Sequence, residues 1–163
     1  MRSGTSSHTR EVAKYVRYYL DILATELGTF PPVKAAASVM REIIYSNKNF
    51  LSASMIVAGW DPYDGNQVYQ VNSEGFFNID NVVTSGSGSI FIAGYIDDNY
   101  RTDFTKQQAY DFLKKGIQYA IYRDHSCGGC VRIMDITSEG VERHFIPWSD
   151  FTFKWMVYNH LTH

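Results

Sequence analysis

Between Met55 and Val71 the chain reads Met-Ile-Val-Ala-Gly-Trp-Asp-Pro-Tyr-Asp-Gly-Asn-Gln-Val-Tyr-Gln-Val. Two short apolar runs, Met55 to Trp60 and Gln67 to Val71, flank the turn residues Asp61-Pro62 and Asp64-Gly65. Runs of this length bounded by Asp, Pro and Gly are strands with tight connections. A third run, Phe76 to Ile79, follows a turn signal at Glu74-Gly75 and continues the series.

Upstream the period changes from two to that of a helix. From Thr9 to Leu27 the apolar residues Val12, Val16, Tyr19, Leu20, Leu23 and Leu27 recur at helical spacing, with N-caps on offer in Thr5-Ser6-Ser7 and a C-cap at Gly28. Pro31-Pro32 suits a second helix entrance, after which Val33, Ala36, Ala37, Met40, Ile43 and Ile44 mark one face as far as Asn47. Two amphipathic helices are therefore expected to open the chain.

Downstream, Ser85-Gly86-Ser87-Gly88-Ser89 leads into Ile90 to Ile96, whose composition suits a strand or a helix and which we read as a short helix. Thr105 and Gln108 form a capping box, predicting a helix that ends near Asp124 and buries Ala109, Phe112, Leu113, Ile117, Ala120 and Ile121. Gly128-Gly129 breaks the chain before a hairpin of Val131 to Thr137 and Val141 to Ile146, turning at Ser138-Glu139-Gly140. Helices, strands, helices and strands in this order imply an α+β class with helical layers against sheet. The reading assigns residues 1–147 to one domain and 148–163 to an aromatic-rich C-terminal tail without a clean period.

The bulk properties narrow the function classes. At 163 residues and 45% hydrophobic composition the chain suits an ordinary globular domain rather than a disordered or fibrous one. A formal net charge of −2 gives no field to attract nucleic acid or an anionic membrane, so neither is an expected partner. No run of about 18 apolar residues suggests a membrane span, and Met1-Arg2-Ser3-Gly4 does not begin a signal peptide, so the chain reads as soluble and intracellular. An aromatic content of 15% suits large buried contacts with neighbours.

Several motifs carry chemistry in principle. Cys127-Gly128-Gly129-Cys130 is a C-x-x-C, but it lacks the second ligand pair or helix N-terminus that zinc binding or thiol exchange uses, and we read it as glycines leading into a strand. The five histidines show no metal-ligand spacing, so no metal and no cofactor is expected. The Gly86-Ser87-Gly88-Ser89 loop has the letters of a phosphate cradle, yet no Lys-Ser or Lys-Thr follows. Asp124 and Ser126 stand beside two glycines at a helix end, where a carboxylate and a hydroxyl serve either a site or a turn.

A joint pattern adds what these pieces lack. Arg2-Ser3-Gly4, Ala58-Gly59-Trp60-Asp61, Gly65-x-Gln67-Val68-Tyr69, Ser85-Gly86-Ser87-Gly88-Ser89, Gly94-Tyr95-x-Asp97, Tyr100-Arg101, Tyr122-Arg123-Asp124, Gly128-Gly129 and Gly140-Val141-Glu142-Arg143 stand in order along the chain. Their order and spacing resemble the beta subunits of the proteasome core particle, over roughly Arg2 to Phe145. Among the three catalytic beta types, the Arg-Ser-Gly start, Gly-Tyr-x-Asp and Gly-Val-Glu-Arg resemble the caspase-like, type-1 subunit.

The resemblance implies an N-terminal-nucleophile hydrolase fold, a four-layer alpha-beta-beta-alpha sandwich, here N-terminally truncated. It implies a threonine-type endopeptidase that cleaves after acidic residues within ATP- and ubiquitin-dependent protein degradation. The threonine would lie upstream of Met1, so the 163 residues alone are expected to be inactive. By resemblance Gly4 supplies an oxyanion-hole N–H, Arg2 is the basic floor of the specificity pocket, and Ser87 and Asp124 support the threonine amine. Cys127 departs from the family by standing where a second supporting serine is expected, a weaker hydrogen-bond partner. The implied partners are other proteasome alpha and beta subunits and unfolded polypeptides, in cytoplasm and nucleus. The alternatives are a non-catalytic structural ring subunit and a protein-interaction domain.

Overall fold

A computed structural model describes residues 1–151, which divide into two compact units. The first comprises Met1–Ser89 with Ile136–Val141, and the second Ile90–Asp135 with the chain from Glu142 onward.

In the first unit, strand β1 (Arg2–Gly4) is followed by helices α1 (Ser6–Leu27) and α2 (Val33–Ser46) and strands β2 (Ala53–Asp61), β3 (Gly65–Val71) and β4 (Phe77–Ile79). The strands form one antiparallel sheet in the order β1-β2-β3-β4. The hydrophobic runs thus form strands where the sequence places them, and the turn at Asp61-Pro62 and Asp64-Gly65 sets Trp60 opposite Asn66 and Asp61 opposite Gly65. A strand rather than a helix opens the chain, contrary to the expectation. Three residues are too few to show a period of two, and β1 exists through pairing with residues some fifty positions away, Arg2 with Met55 and Gly4 with Ala53.

The core of this unit is the meeting of the two helix faces with the sheet. Val12 and Val16 from α1, Met40 and Ile44 from α2, Ala53 and Met55 from β2 and Val71 from β3 form one buried cluster. The helical spacing in the sequence is what delivers these side chains to a common face. Thr5 takes the N-cap position of α1 through its carbonyl, which accepts the Thr9 N–H at 3.0 Å, while its side chain makes no capping bond. Gly28 closes the helix in the left-handed conformation.

A single carboxylate ties α2 to the hairpin. Asp61 is buried and accepts hydrogen bonds from the Val33 N–H at 2.9 Å, the Tyr63 N–H at 3.0 Å, the Asp64 N–H at 2.8 Å and Gln67 Nε2 at 2.7 Å. The Val33 bond serves an orphan donor in the first turn of α2, whose N-cap residue, Pro32, offers no side-chain oxygen. Gly59 completes the junction, since a Cβ there would stand 2.7 Å from Val33 Cγ2. The Asp64 and Val33 N–H groups, with Gln67 and Tyr63, hold the Asp61 carboxyl at about 2, against the opposing effect of burial.

After β4 come a 3-10 turn (Ser87–Ile92), α3 (Ala93–Asn99), α4 (Lys106–Arg123), β5 (Cys130–Thr137), β6 (Gly140–Pro147) and a second 3-10 turn at Trp148–Asp150, all from Ile90 onward in the second unit except Ile136–Val141. The segment read as helical from Ile90 to Ile96 is indeed helical. The Thr105 side chain accepts the Gln108 N–H at 3.3 Å and Gln108 Oε1 accepts the Thr105 N–H at 2.8 Å, which completes the capping box. Strands β5 and β6 form a two-stranded sheet, and Ile121 packs with Val131, Ile133, Ile146 and Phe151. Residues 152–163 of the tail lie outside the described residues.

The stripe on α4 is narrower than its sequence suggests. Gly116, Ala120 and Ile121 are buried, whereas Leu113 and Ile117 are 45% and 37% exposed. Among the described residues the second unit offers α4 a two-stranded sheet and the short α3, which leave these two side chains partly in solvent. Phe112 turns instead to an aromatic group, stacked on Tyr95 at 5.2 Å and beside Phe104 at 5.3 Å.

Two stability effects are expected. Ile44→Ala should lower the unfolding free energy by about 2–5 kcal/mol, read from urea denaturation, because Ile44 is fully buried in the first core. Asp61 is ionised at lower pH when folded than when unfolded, where its ordinary value is 3.8. Its contribution is therefore complete above that value and is lost as pH falls through about 2. Melting temperature measured against pH should rise through this window, and Asp61→Asn should flatten the rise.

Candidate functional site

The candidate residues fall into two groups, one in each unit. Arg2, Gly4 and Ser87 belong to the first, and Asp124 and Cys127 to the second.

Strand β1 carries Arg2 and Gly4 two residues apart, on the same face of the strand. Arg2 is exposed, with no pairing carboxylate among the described ion pairs, so its guanidinium is open to an acidic group from elsewhere. Gly4 adopts φ +110°, and a Cβ there would collide with the Ser52 carbonyl oxygen. Only glycine meets both conditions. The same Ser52 carbonyl accepts the Thr5 N–H at 2.9 Å, and the Ser52 N–H donates to His8 Nδ1 at 3.1 Å. Ser52 thus pins the chain just after Gly4, a role that no sequence motif signals.

The loop before Ser87 is bound to the same sheet. Gln70 Nε2 donates to the Thr84 carbonyl at 2.8 Å, and the Ser85 and Ser54 hydroxyls share a hydrogen bond of 3.1 Å. A Cβ on Gly86 would stand 3.7 Å from Ser3 Oγ, so the loop backbone passes close to β1. The Ser89 N–H and hydroxyl both bond the Gly86 carbonyl, at 3.1 and 2.7 Å, and so start the 3-10 turn that begins with Ser87. The glycine-serine run is a fixed loop beside Gly4's strand.

In the second unit, α4 ends at Asp124, whose N–H still bonds the Ala120 carbonyl at 2.8 Å. Asp124 is 7% exposed, and its carboxylate organises the following turn. It accepts the Ser126 N–H at 2.9 Å on Oδ1 and the Cys127 thiol at 3.0 Å on Oδ2. Cys127 therefore does in this structure what a hydroxyl would do, donating to Asp124 through sulfur. Ser126 contributes its backbone rather than its hydroxyl to this arrangement.

The chemistry of each group is distinct. The first presents a backbone N–H at a glycine, a guanidinium and a serine, a set suited to stabilising an oxyanion and holding an acidic side chain. The second presents a buried carboxylate with ordered donors, suited to facing an ammonium group. Hollows of about 430 and 360 Å³ on the α1–α2 surface, lined in part by Tyr19, Ile43 and Asn47, contain none of these residues. Among the described residues no three His, Cys, Asp or Glu side chains group as a metal site, and no helix is long and apolar enough to cross a membrane.

The family model described as proteasome subunit matches residues 1–136. The chain belongs to the proteasome subunit family. It is 40% identical over 154 residues to the proteasome subunit beta type-6 of Dictyostelium discoideum, covering 94% of this chain and 72% of that protein. It is 40% identical over 144 residues to the probable proteasome subunit beta type-1 of Schizosaccharomyces pombe, with 88% and 64% covered. The proteasome subunit beta type-1 of Saccharomyces cerevisiae is 39% identical over 142 residues, with 87% and 66% covered. The chain thus spans about two thirds of the length of these relatives. Its mixture of helices and sheets is consistent with this family.

Gly4→Ala should force β1 away from Ser52, since backbone strain and the carbonyl clash act together. Strain of this kind is worth about 1–3 kcal/mol. Hydrogen exchange at the Thr5 amide should accelerate by about tenfold or more, with the amides of β3 unaffected.

Proposed function

We propose that this chain is a component of the 20S proteasome core, a beta subunit of the caspase-like, type-1 kind, acting in ATP- and ubiquitin-dependent protein degradation. The observation that carries the reading is Gly4 at φ +110° at the end of β1, two residues from an exposed Arg2, in a chain of this family. A strand end that only glycine can occupy keeps one N–H in place for a developing alkoxide. A guanidinium on the same strand recognises a carboxylate before the cut bond.

The activity proposed is threonine-type peptide hydrolysis after acidic residues. In this reading Gly4, Arg2, Ser87, Asp124 and Cys127 serve the threonine nucleophile. Asp124 and Ser87 support the threonine amine, which takes the hydroxyl proton during attack on the carbonyl. Cys127 holds Asp124 in place with its thiol. The four-layer alpha-beta-beta-alpha arrangement, assembly with alpha and beta subunits around unfolded polypeptide substrates, and residence in cytoplasm and nucleus belong to the same proposal.

Three measurements test it. Native mass spectrometry of the endogenous protein should find it in a stacked-ring particle, and a protein found only as a free monomer refutes the assignment. In the assembled form that carries a mature threonine, Arg2→Ala should lower kcat/KM for acidic fluorogenic peptides by about 10- to 100-fold, the worth of a hydrogen bond to a charged group. Hydrolysis by the 163-residue chain alone would show that the nucleophile lies within it.

A further inference from the structure

We propose that Cys127 and Cys130 form a modification site: a small-molecule disulfide closes them into a reversible intrachain bridge, which removes the thiol donor from Asp124. Both cysteines are half-buried thiols, and Gly128 and Gly129 are the two residues between them.

The local backbone favours closure. A bridge needs Cα atoms about 4.4–6.8 Å apart, and three residues span about 10 Å when fully extended, so closure requires a bend in this segment. Such a bend is present, with Gly129 at φ +90°. A Cβ placed on Gly128 or Gly129 would meet no atom within 4 Å, so neighbours do not oppose the rotation that closure needs. The Cys127 N–H bonds the Asp124 carbonyl at 3.0 Å, which anchors the first cysteine to the end of α4, while the second begins β5.

The chemistry balances as thiol–disulfide exchange. One cysteine thiolate attacks a sulfur of the small disulfide, forming a mixed disulfide and expelling one reagent thiolate. The other cysteine thiolate attacks the protein-bound sulfur and expels the second. The two cysteine protons pass to the two released thiolates, the cysteine sulfurs are oxidised, and the reagent is reduced to two thiols. A bridged Cys127 has no S–H to give to Asp124 Oδ2, the bond that now measures 3.0 Å.

The bridge itself depends on no functional assignment, whereas its effect on hydrolysis rests on the function proposed above. The test uses the full-length protein in its assembled particle, treated with oxidised glutathione and afterwards with a dithiol reductant. Trypsin cleaves after Arg123 and Arg132, which places both cysteines in the peptide of residues 124–132. After oxidation this peptide should lose two hydrogens and resist alkylation, and both changes should reverse on reduction. Cys130→Ser should abolish the hydrogen loss while keeping the basal rate of hydrolysis. In the unsubstituted particle, cleavage of an acidic fluorogenic peptide should fall about tenfold on oxidation and recover on reduction, as expected when a charged group loses a hydrogen bond. Two separate glutathione adducts on the peptide, or thiols that stay alkylatable throughout, would overturn the bridge. A bridge formed with hydrolysis unchanged would overturn its action through Asp124. A reduced particle without activity towards acidic peptides sinks the proposed function alone, and the peptide mass still decides the bridge.

Discussion

The buried carboxylate of Asp61 is the constraint on which the first unit turns. Four donors converge on it, from the start of α2, from the turn after β2 and from the side chain of Gln67 on β3. A buried charge without partners is costly, whereas one with this many hydrogen bonds fixes the relative position of everything that supplies them. Gln67 passes the constraint on, since its Oε1 accepts the Tyr69 hydroxyl at 2.7 Å. Burial then raises the Tyr69 hydroxyl above its ordinary value, helped by the charges of Asp64 and Asp61, so the chain of donors keeps its protons. With α2 held over β2 at Gly59, the core of Met40, Ile44, Met55 and Val71 can close.

The candidate site inherits this order through β2. Ala53 and Met55 face the core and also set the register of β1, so the position of Gly4 and Arg2 follows from the packing of the helices on the sheet. Ser52, one residue before β2, makes the remaining contacts to Thr5 and His8. A side chain or N–H can be positioned this closely only when rigid elements support it. The second group is organised differently, by a helix end and a turn in which Asp124 accepts from Ser126 and Cys127. There the Cys127 thiol makes the hydrogen bond to the carboxylate that a hydroxyl could make.

Much of the fold was legible because its signals are local. The capping box of Thr105 and Gln108, the closure of α1 at Gly28 and the hairpin turn between Asp61 and Gly65 each depend on residues a few positions apart, so a short window of sequence contains the whole cause. The helical faces of α1 and α2 were equally readable, since periodicity reports which side chains share a face. Periodicity does not report how much of that face is covered. Leu113 and Ile117 on α4 follow the same spacing as Ala120 and Ile121, yet remain partly exposed among the described residues.

From sequence alone came the α+β class, the order of all the longer elements and, through the family pattern, the identity of Arg2, Gly4, Ser87, Asp124 and Cys127 as the residues to watch. Tertiary structure alone decided β1, whose three residues become a strand by pairing with Ala53 to Met55. It also decided the reach of Asp61 to the Val33 N–H, 28 residues earlier, and the need for glycine at position 4, which comes from the Ser52 carbonyl. The difference is physical. Propensity, capping and turn chemistry act within a few residues and are written in their order, whereas long-range hydrogen bonds and steric contacts arise only once the chain has folded back on itself.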